Sequence, residues 1–293
     1  MKNDPCVRLS QRLHELLISI VSKPISPPAE FGVLYSGGLD SSIITALLNE
    51  IYSEAFQLVV AGINTAKDVI LARKGADALN LPLTLKMLAA TDVEEALPKI
   101  LSILGYIDVL HVELAIPLFF AARCASQFGI TTLYTGQGAD ELFGGYAKYE
   151  KHLMESGEDA VLTEMKADLQ TLSTKTLPAM KAIVSHNNCQ LVAPFCDKAI
   201  IEFALSIPLS CKLVHDSGEV IRKQVLRLLA KDLGLPSEIV HAPKRALQYG
   251  SGANRILTNL AANYWTEQNP KLTSRQVRTH GRIEQYLTQL INQ

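Results

Sequence analysis

The stretch Phe31-Gly32-Val33-Leu34-Tyr35-Ser36-Gly37-Gly38-Leu39-Asp40-Ser41-Ser42 decides how this chain is read. Its first five residues are a short apolar run bounded by turn residues, which suits a strand buried on both faces. A turn follows, and Ser41 to Tyr52 reads as a helix. Such a turn lies at the carboxyl end of its strand, where open α/β sheets place their ligands. Gly37 and Gly38 let backbone N–H groups close on an anion. The helix start adds unpaired N–H groups and the positive end of its dipole. With the hydroxyls of Ser36, Ser41 and Ser42, this nest suits a pyrophosphate. Asp40 is out of place there unless a cation shares the site, and a magnesium ion bridging phosphate oxygens would resolve the conflict. The GxxxxGK[ST] spacing of a Walker loop is absent.

Working outward, Leu9, Leu13, Leu16, Leu17 and Ile20 recur at helical spacing and predict a helix over 7–21, followed by a Pro-rich connector over 23–29. Downstream, 57–61, 83–88 and 131–135 read as strands, and 68–79, 92–104 and 116–128 as helices. This alternation predicts an α/β fold with a doubly wound parallel sheet. From about Glu150 helical patterns dominate, so the expected division is a helix and linker over 1–30, an α/β core over 31–150 and a mostly helical region over 151–293.

The 293 residues are 48% hydrophobic and 19% charged, with a formal net charge of −1, so a sizeable core is expected and disorder is not. That balance gives no electrostatic reason to expect nucleic acid or an anionic membrane as partner. The five cysteines follow no metal or CxxC spacing and read as reduced thiols. The start has no signal-peptide pattern, and the expected location is cytoplasmic.

A second stretch, Leu133 to Tyr146, repeats the architecture: short strand, glycine-rich turn, then the acidic pair Asp140-Glu141. Parallel strands would bring both loops to one rim of the sheet, where Asp40 and Asp140 could share a magnesium ion with substrate phosphates.

Together these loops resemble the synthetase domain of the asparagine synthetases, a branch of the ATP pyrophosphatases that also holds β-lactam and carbapenam synthetases. The family's Ser-Gly-Gly-Leu-Asp-Ser-Ser stands in full at 36–42, and its Gly-Glu-Gly-Ser-Asp-Glu-Val-Phe-Gly-Gly-Tyr block is matched from Gly136 to Tyr146, with Gln137 in place of the first Glu. Its Val-Pro-Phe-Leu-Asp resembles Ala193-Pro194-Phe195-Cys196-Asp197. The resemblance implies an adenine nucleotide alpha hydrolase-like fold that uses ATP and Mg2+. A substrate carboxylate would attack the α-phosphorus to give an acyl-adenylate and pyrophosphate, and ammonia or an amine would then displace AMP. It further implies that Leu34, Val60 and Gly136 border the nucleotide, that Lys223 contacts phosphate, and that Lys244 stabilises the transition state.

Three departures from the family pattern bear on the substrates. Family members that draw ammonia from glutamine carry an N-terminal glutaminase domain, and Lys2 follows Met1 here. Nitrogen is then expected as free ammonia, from a separate glutaminase partner, or from an amine substrate; a homodimer is compatible with any of these. Where aspartate-using enzymes show Thr-x-x-Arg, this chain has His111 and Glu113, so an acid other than aspartate is expected. Gln137 and Gln190 stand where relatives have ionisable groups, and glutamine cannot act as a general base. With Glu141, these residues are the substrate-side candidates. The competing readings are an ATP-binding regulatory protein with decayed chemistry and a tRNA-modifying pyrophosphatase of the same fold.

Overall fold

The computed structural model describes residues 4–23, 31–52, 56–216, 219–242, 247–271, 276 and 278–291. Strands β1 (Phe31–Leu34), β2 (Gln57–Gly62), β3 (Leu83–Met87), β4 (Thr132–Tyr134) and β5 (Gln190–Val192) form one sheet in the order β3-β2-β1-β4-β5. Every neighbouring pair is parallel. A separate antiparallel hairpin joins β6 (Leu213–Asp216) to β7 (Glu219–Arg222). The described helices, in chain order, are α1 (Pro5–Val21), α2 (Leu39–Ile51), α3 (Lys67–Leu79), α4 (Ala90–Leu104), α5 (Val109–Gln127), α6 (Ala139–Phe143), α7 (Ala147–Ser156), α8 (Glu158–Thr171), α9 (Leu177–His186), α10 (Lys198–Ser206), α11 (Gln224–Asp232), α12 (Ser237–Val240), α13 (Leu247–Gly250), α14 (Ala253–Gln268) and α15 (His280–Ile291).

Successive side chains of a strand point to opposite faces, so a sheet covered on both faces needs continuous apolar strands. In β2, Leu58 and Val60 enter one core while Val59 and Ala61 enter the other; in β4, Tyr134 and Leu133 divide the same way. The first core is closed by α1, α2, α3, α10 and α11, and the second by α4, α5, α9, α14 and α15. This is a doubly wound α/β fold. Helix α1 starts at a cap in which Asp4 accepts from the Cys6 N–H at 2.8 Å, with Pro5 in the first turn where its missing donor costs nothing. Leu13, Leu17 and Val21 on its inner face are fully buried against the first core. Each contributes on the order of 2 kcal/mol.

Three expectations are revised. Helix α5 begins at Val109 rather than Ile116 and runs through Pro117, because Asp108 caps it by accepting from the His111 N–H at 2.9 Å and burial on both sides holds the turn that proline weakens. By length and composition α5 could cross a bilayer, yet here most of it is buried in the second core. The mostly helical second half also supplies β5 and the β6–β7 hairpin. The three residues of β5 are too few to show a period, and the connector over 24–29 lies outside the described residues.

The cysteines are not all reduced. Cys6 on α1 and Cys211 are joined in a disulfide, while Cys124, Cys189 and Cys196 are free. The partners stand 205 residues apart, a pairing that spacing patterns cannot reveal. Alkylation of the denatured chain without reductant should therefore modify three cysteines, and all five after reduction. Five modified thiols without reductant, counted by intact mass, would remove the disulfide.

Candidate functional site

The strand order reverses between β1 and β4, and open α/β sheets bind ligands at such a switch point. The loops after these two strands are the glycine-rich stretches. In the first, Gly37 has φ of 71°, and a Cβ there would run into the α3 backbone at Leu71 and Ala72. Ser41 Oγ donates to the Gly38 carbonyl and lies 3.2 Å from Ser36 Oγ. The N-cap of α2 is Gly38, which offers no capping side chain, so its first-turn N–H groups face the loop. In the second, Gly136 lies against the backbone of Asp40 and Ser41, where a Cβ would come within 2.8 Å. That close approach joins the two loops.

Three helix starts then converge. Asp40 lies in the first turn of α2, Asp140 in the first turn of α6, and Lys223 at the N-cap of α11. Lys223 Nζ donates to both Asp40 oxygens, at 2.7 and 2.6 Å, and lies 2.6 Å from Asp140 Oδ1. Carboxylates 100 positions apart in sequence (140 − 40) therefore face one ammonium. Lys223 is buried and has φ of 60°, a left-handed backbone that costs a non-glycine residue on the order of 1–2 kcal/mol. A Cβ at position 145 would strike the Asp140 carboxylate and Lys223 Cε, so only glycine lets these groups meet.

Two cavities share Ser36, Asp40 and Asp68. The larger, about 770 Å³, has an apolar wall of Leu34, Val60, Pro117, Leu118, Ala121 and Met180 facing Ser41, Gly136, Gln137 and Asp140. The smaller, about 560 Å³, brings Arg222, Lys223 and Arg227 around Gly38 and Gly145. Burial holds the Arg227 guanidinium below its ordinary value, as does neighbouring Arg222, while Asp40 opposes them. Tyr146 donates to Glu141 Oε1 at 2.7 Å, and burial together with the Glu141 and Asp140 carboxylates keeps its hydroxyl protonated.

The structure thus brings together Leu34, Ser36, Gly37, Gly38, Asp40, Ser41, Val60, Gly136, Gln137, Asp140 and Lys223. Ser42 is turned to Tyr35, 3.0 Å from its hydroxyl. Other candidates stand apart from the cleft. Buried His111 lies 3.1 Å from the Tyr106 hydroxyl and 3.3 Å from Thr176 Oγ1, beside a cavity of about 190 Å³ that shares Leu118 and Met180 with the cleft. Glu113 faces His280 of α15, and burial raises its carboxyl while His280 opposes the shift. Gln190 is the exposed first residue of β5, paired in register with Thr132 at the amino end of β4. Lys244 lies outside the described residues. Sequence reading missed Asp68, Arg222, Arg227 and Thr135. Only Asp68, at a helix start after β2, carried a signal of the kind already used.

The donor set fits magnesium: two hard carboxylates converge where a cation is already held, and substrate phosphates would complete the shell.

The model of the asparagine synthase family matches residues 12–186 and 154–292. This chain belongs to that family. It is 30% identical over 292 residues to a putative glutamine-hydrolyzing asparagine synthetase of Methanocaldococcus jannaschii, covering 90% of this chain and 53% of the relative. The glutamine-hydrolyzing asparagine synthetase of Zea mays is 26% identical over 256 residues, with 83% and 43% covered. An asparagine synthetase domain-containing protein of Drosophila melanogaster is 27% identical over 262 residues, with 78% and 46% covered. The chain thus spans about half the length of these curated relatives. Among solved structures, NMN synthetase from Francisella tularensis matches with a TM-score of 0.45 and 11% identity, covering 99% of this chain and 94% of that one.

Replacing Lys223 by Met leaves two largely buried carboxylates facing each other. Urea unfolding without divalent cations should show a loss of about 3 kcal/mol, part of it regained with magnesium. An unchanged midpoint in the absence of magnesium would show that the carboxylates do not depend on the ammonium.

Proposed function

We propose that this chain is an ATP-dependent ligase that adenylates a carboxylate, releasing pyrophosphate, and passes the acyl group to ammonia or an amine with release of AMP. The observation that carries this reading is the meeting of Asp40 and Asp140 on Lys223 at the switch point of the sheet. Family membership supports it.

The charge pattern supports a pose. The apolar wall with Leu34 and Val60 suits a nucleoside, and the basic cavity with Arg222, Lys223 and Arg227 suits the outer phosphates. The polyphosphate then crosses Asp40, over the N–H groups of Gly38 and the α2 start, with Ser36 and Ser41 as hydroxyl donors and Gly136 closing the other side. Asp40 and Asp140 would hold magnesium, which would supply neutralisation of phosphate charge. Lys223 leaves the carboxylates for phosphate oxygens, and its pinned backbone limits the reorganisation required. Lys244 is assigned to the developing charge on the transferred group by its place in the family motif. Gln137 at the cleft can orient an amine or a carboxylate but cannot take its proton. Glu141 is committed to Tyr146 and acts by holding the loop.

The test is pyrophosphate and AMP release with ATP, magnesium and ammonia over a panel of carboxylic acids. Release that depends on one acid is expected, and Asp140→Asn should lower its rate about 100-fold or more. ATP binding without acid-dependent release across the panel would favour the regulatory reading. Undiminished release by Asp140→Asn would remove that aspartate from the site.

A further inference from the structure

A further cavity, about 700 Å³, shares no lining residue with the two at the site and opens between α6, α8 and α10. Its walls are apolar, from Leu142, Met165 and Leu169, and its rim carries Leu162 and Leu205, which are 37% and 53% exposed. Against this lining stands Lys212, only 2% exposed. No carboxylate among the described residues lies within ion-pair distance of it, and burial alone pulls its ammonium down to about 8. The other charged groups on the wall are Glu141, whose Oε1 accepts from Tyr146 at 2.7 Å, and exposed Lys166.

A buried ammonium with no counter-charge among the described residues costs several kcal/mol, and their packing alone does not explain keeping one beside an open apolar cavity. An anion with an apolar body would satisfy both features, its charge meeting the lysine and its chain displacing water from the leucines. We propose that this cavity is a second ligand site that takes a small carboxylic acid with an extended apolar body, with Lys212 as its counter-charge. The site lies close to the first. Glu141 adjoins Asp140, and the Lys212 carbonyl accepts from the Gln224 N–H at 3.1 Å, one residue beyond Lys223.

The test is calorimetric titration of the full chain, without nucleotide, using octanoate, its neutral amide, and acetate. Saturable octanoate binding is expected, with the amide at least about tenfold weaker and acetate too weak to measure. Lys212→Met should weaken octanoate at least about tenfold. Should that variant not fold, Leu205→Asp places a like charge at an exposed rim position and should weaken octanoate to a similar degree. The charged amine favours the ligand, so affinity should hold below the free pKa and fall between about pH 8 and about pH 9.5. Absence of saturable octanoate binding, equal binding of the amide, or full affinity in folded Lys212→Met or in Leu205→Asp would overturn the proposal. ATP cleavage enters none of these readouts, so the proposal can fail without the ligase reading failing.

Discussion

Two carboxylates that face one another at the rim of a sheet repel, and the remainder of this structure can be understood from how that repulsion is contained. At separations near 5 Å and the effective dielectric of a partly buried site, the repulsion is on the order of 3 kcal/mol. Lys223 removes it by standing between Asp40 and Asp140. Its left-handed backbone is the cost of delivering the ammonium from the start of α11 rather than from a flexible loop. Backbone strain kept in place by surrounding packing is typical of sites that must be in position before a ligand arrives.

What holds Lys223 there is largely distant in sequence. Helix α11 buries Val225, Leu226 and Leu229 in the same core as Leu13 and Leu17 of α1, and the two helices pack along each other. The Cys6–Cys211 disulfide ties α1 to the turn that enters the β6–β7 hairpin, and that hairpin ends at Arg222. The N-terminal helix is therefore a brace for the lysine arm, not an appendage to the sheet. The acidic loops need no such brace. Parallel strands β1 and β4 are hydrogen-bonded neighbours, so their carboxyl ends deliver both loops to one place, and Gly136 and Gly145 allow the final approach.

The sheet and its rim were legible because strand β1 is apolar throughout and the turn after it has a composition that few structural roles require. The same logic found the loop at 136–140. It failed where side chains act through tertiary neighbours. Arg222 and Arg227 sit in an amphipathic context that reads as solvated surface, and only the fold of the hairpin turns them toward Gly38. His111 became a candidate because it stands near the place of the Thr-x-x-Arg of aspartate-using relatives, ahead of Pro117. With α5 continuous through Pro117, His111 lies two helical turns before Leu118, about 10 Å along the axis. It therefore meets Tyr106 and Thr176 beside the neighbouring small cavity.

Among the described residues, the charged side chains that line the larger cavity are Asp40, Asp68 and Asp140, whereas Arg222 and Arg227 line only the smaller one. Among these residues, a polyanion spanning both would find guanidiniums at one end and carboxylates at the other. Placed in the larger cavity, the anionic end would lie against carboxylates, two of them paired with Lys223; placed in the smaller, it would meet two guanidiniums and the α2 N–H groups directly. The second arrangement leaves the apolar wall for a neutral ring. On the proposed function, this partition of charge favours a nucleotide whose ring meets the apolar wall and whose outer phosphates enter the smaller cavity.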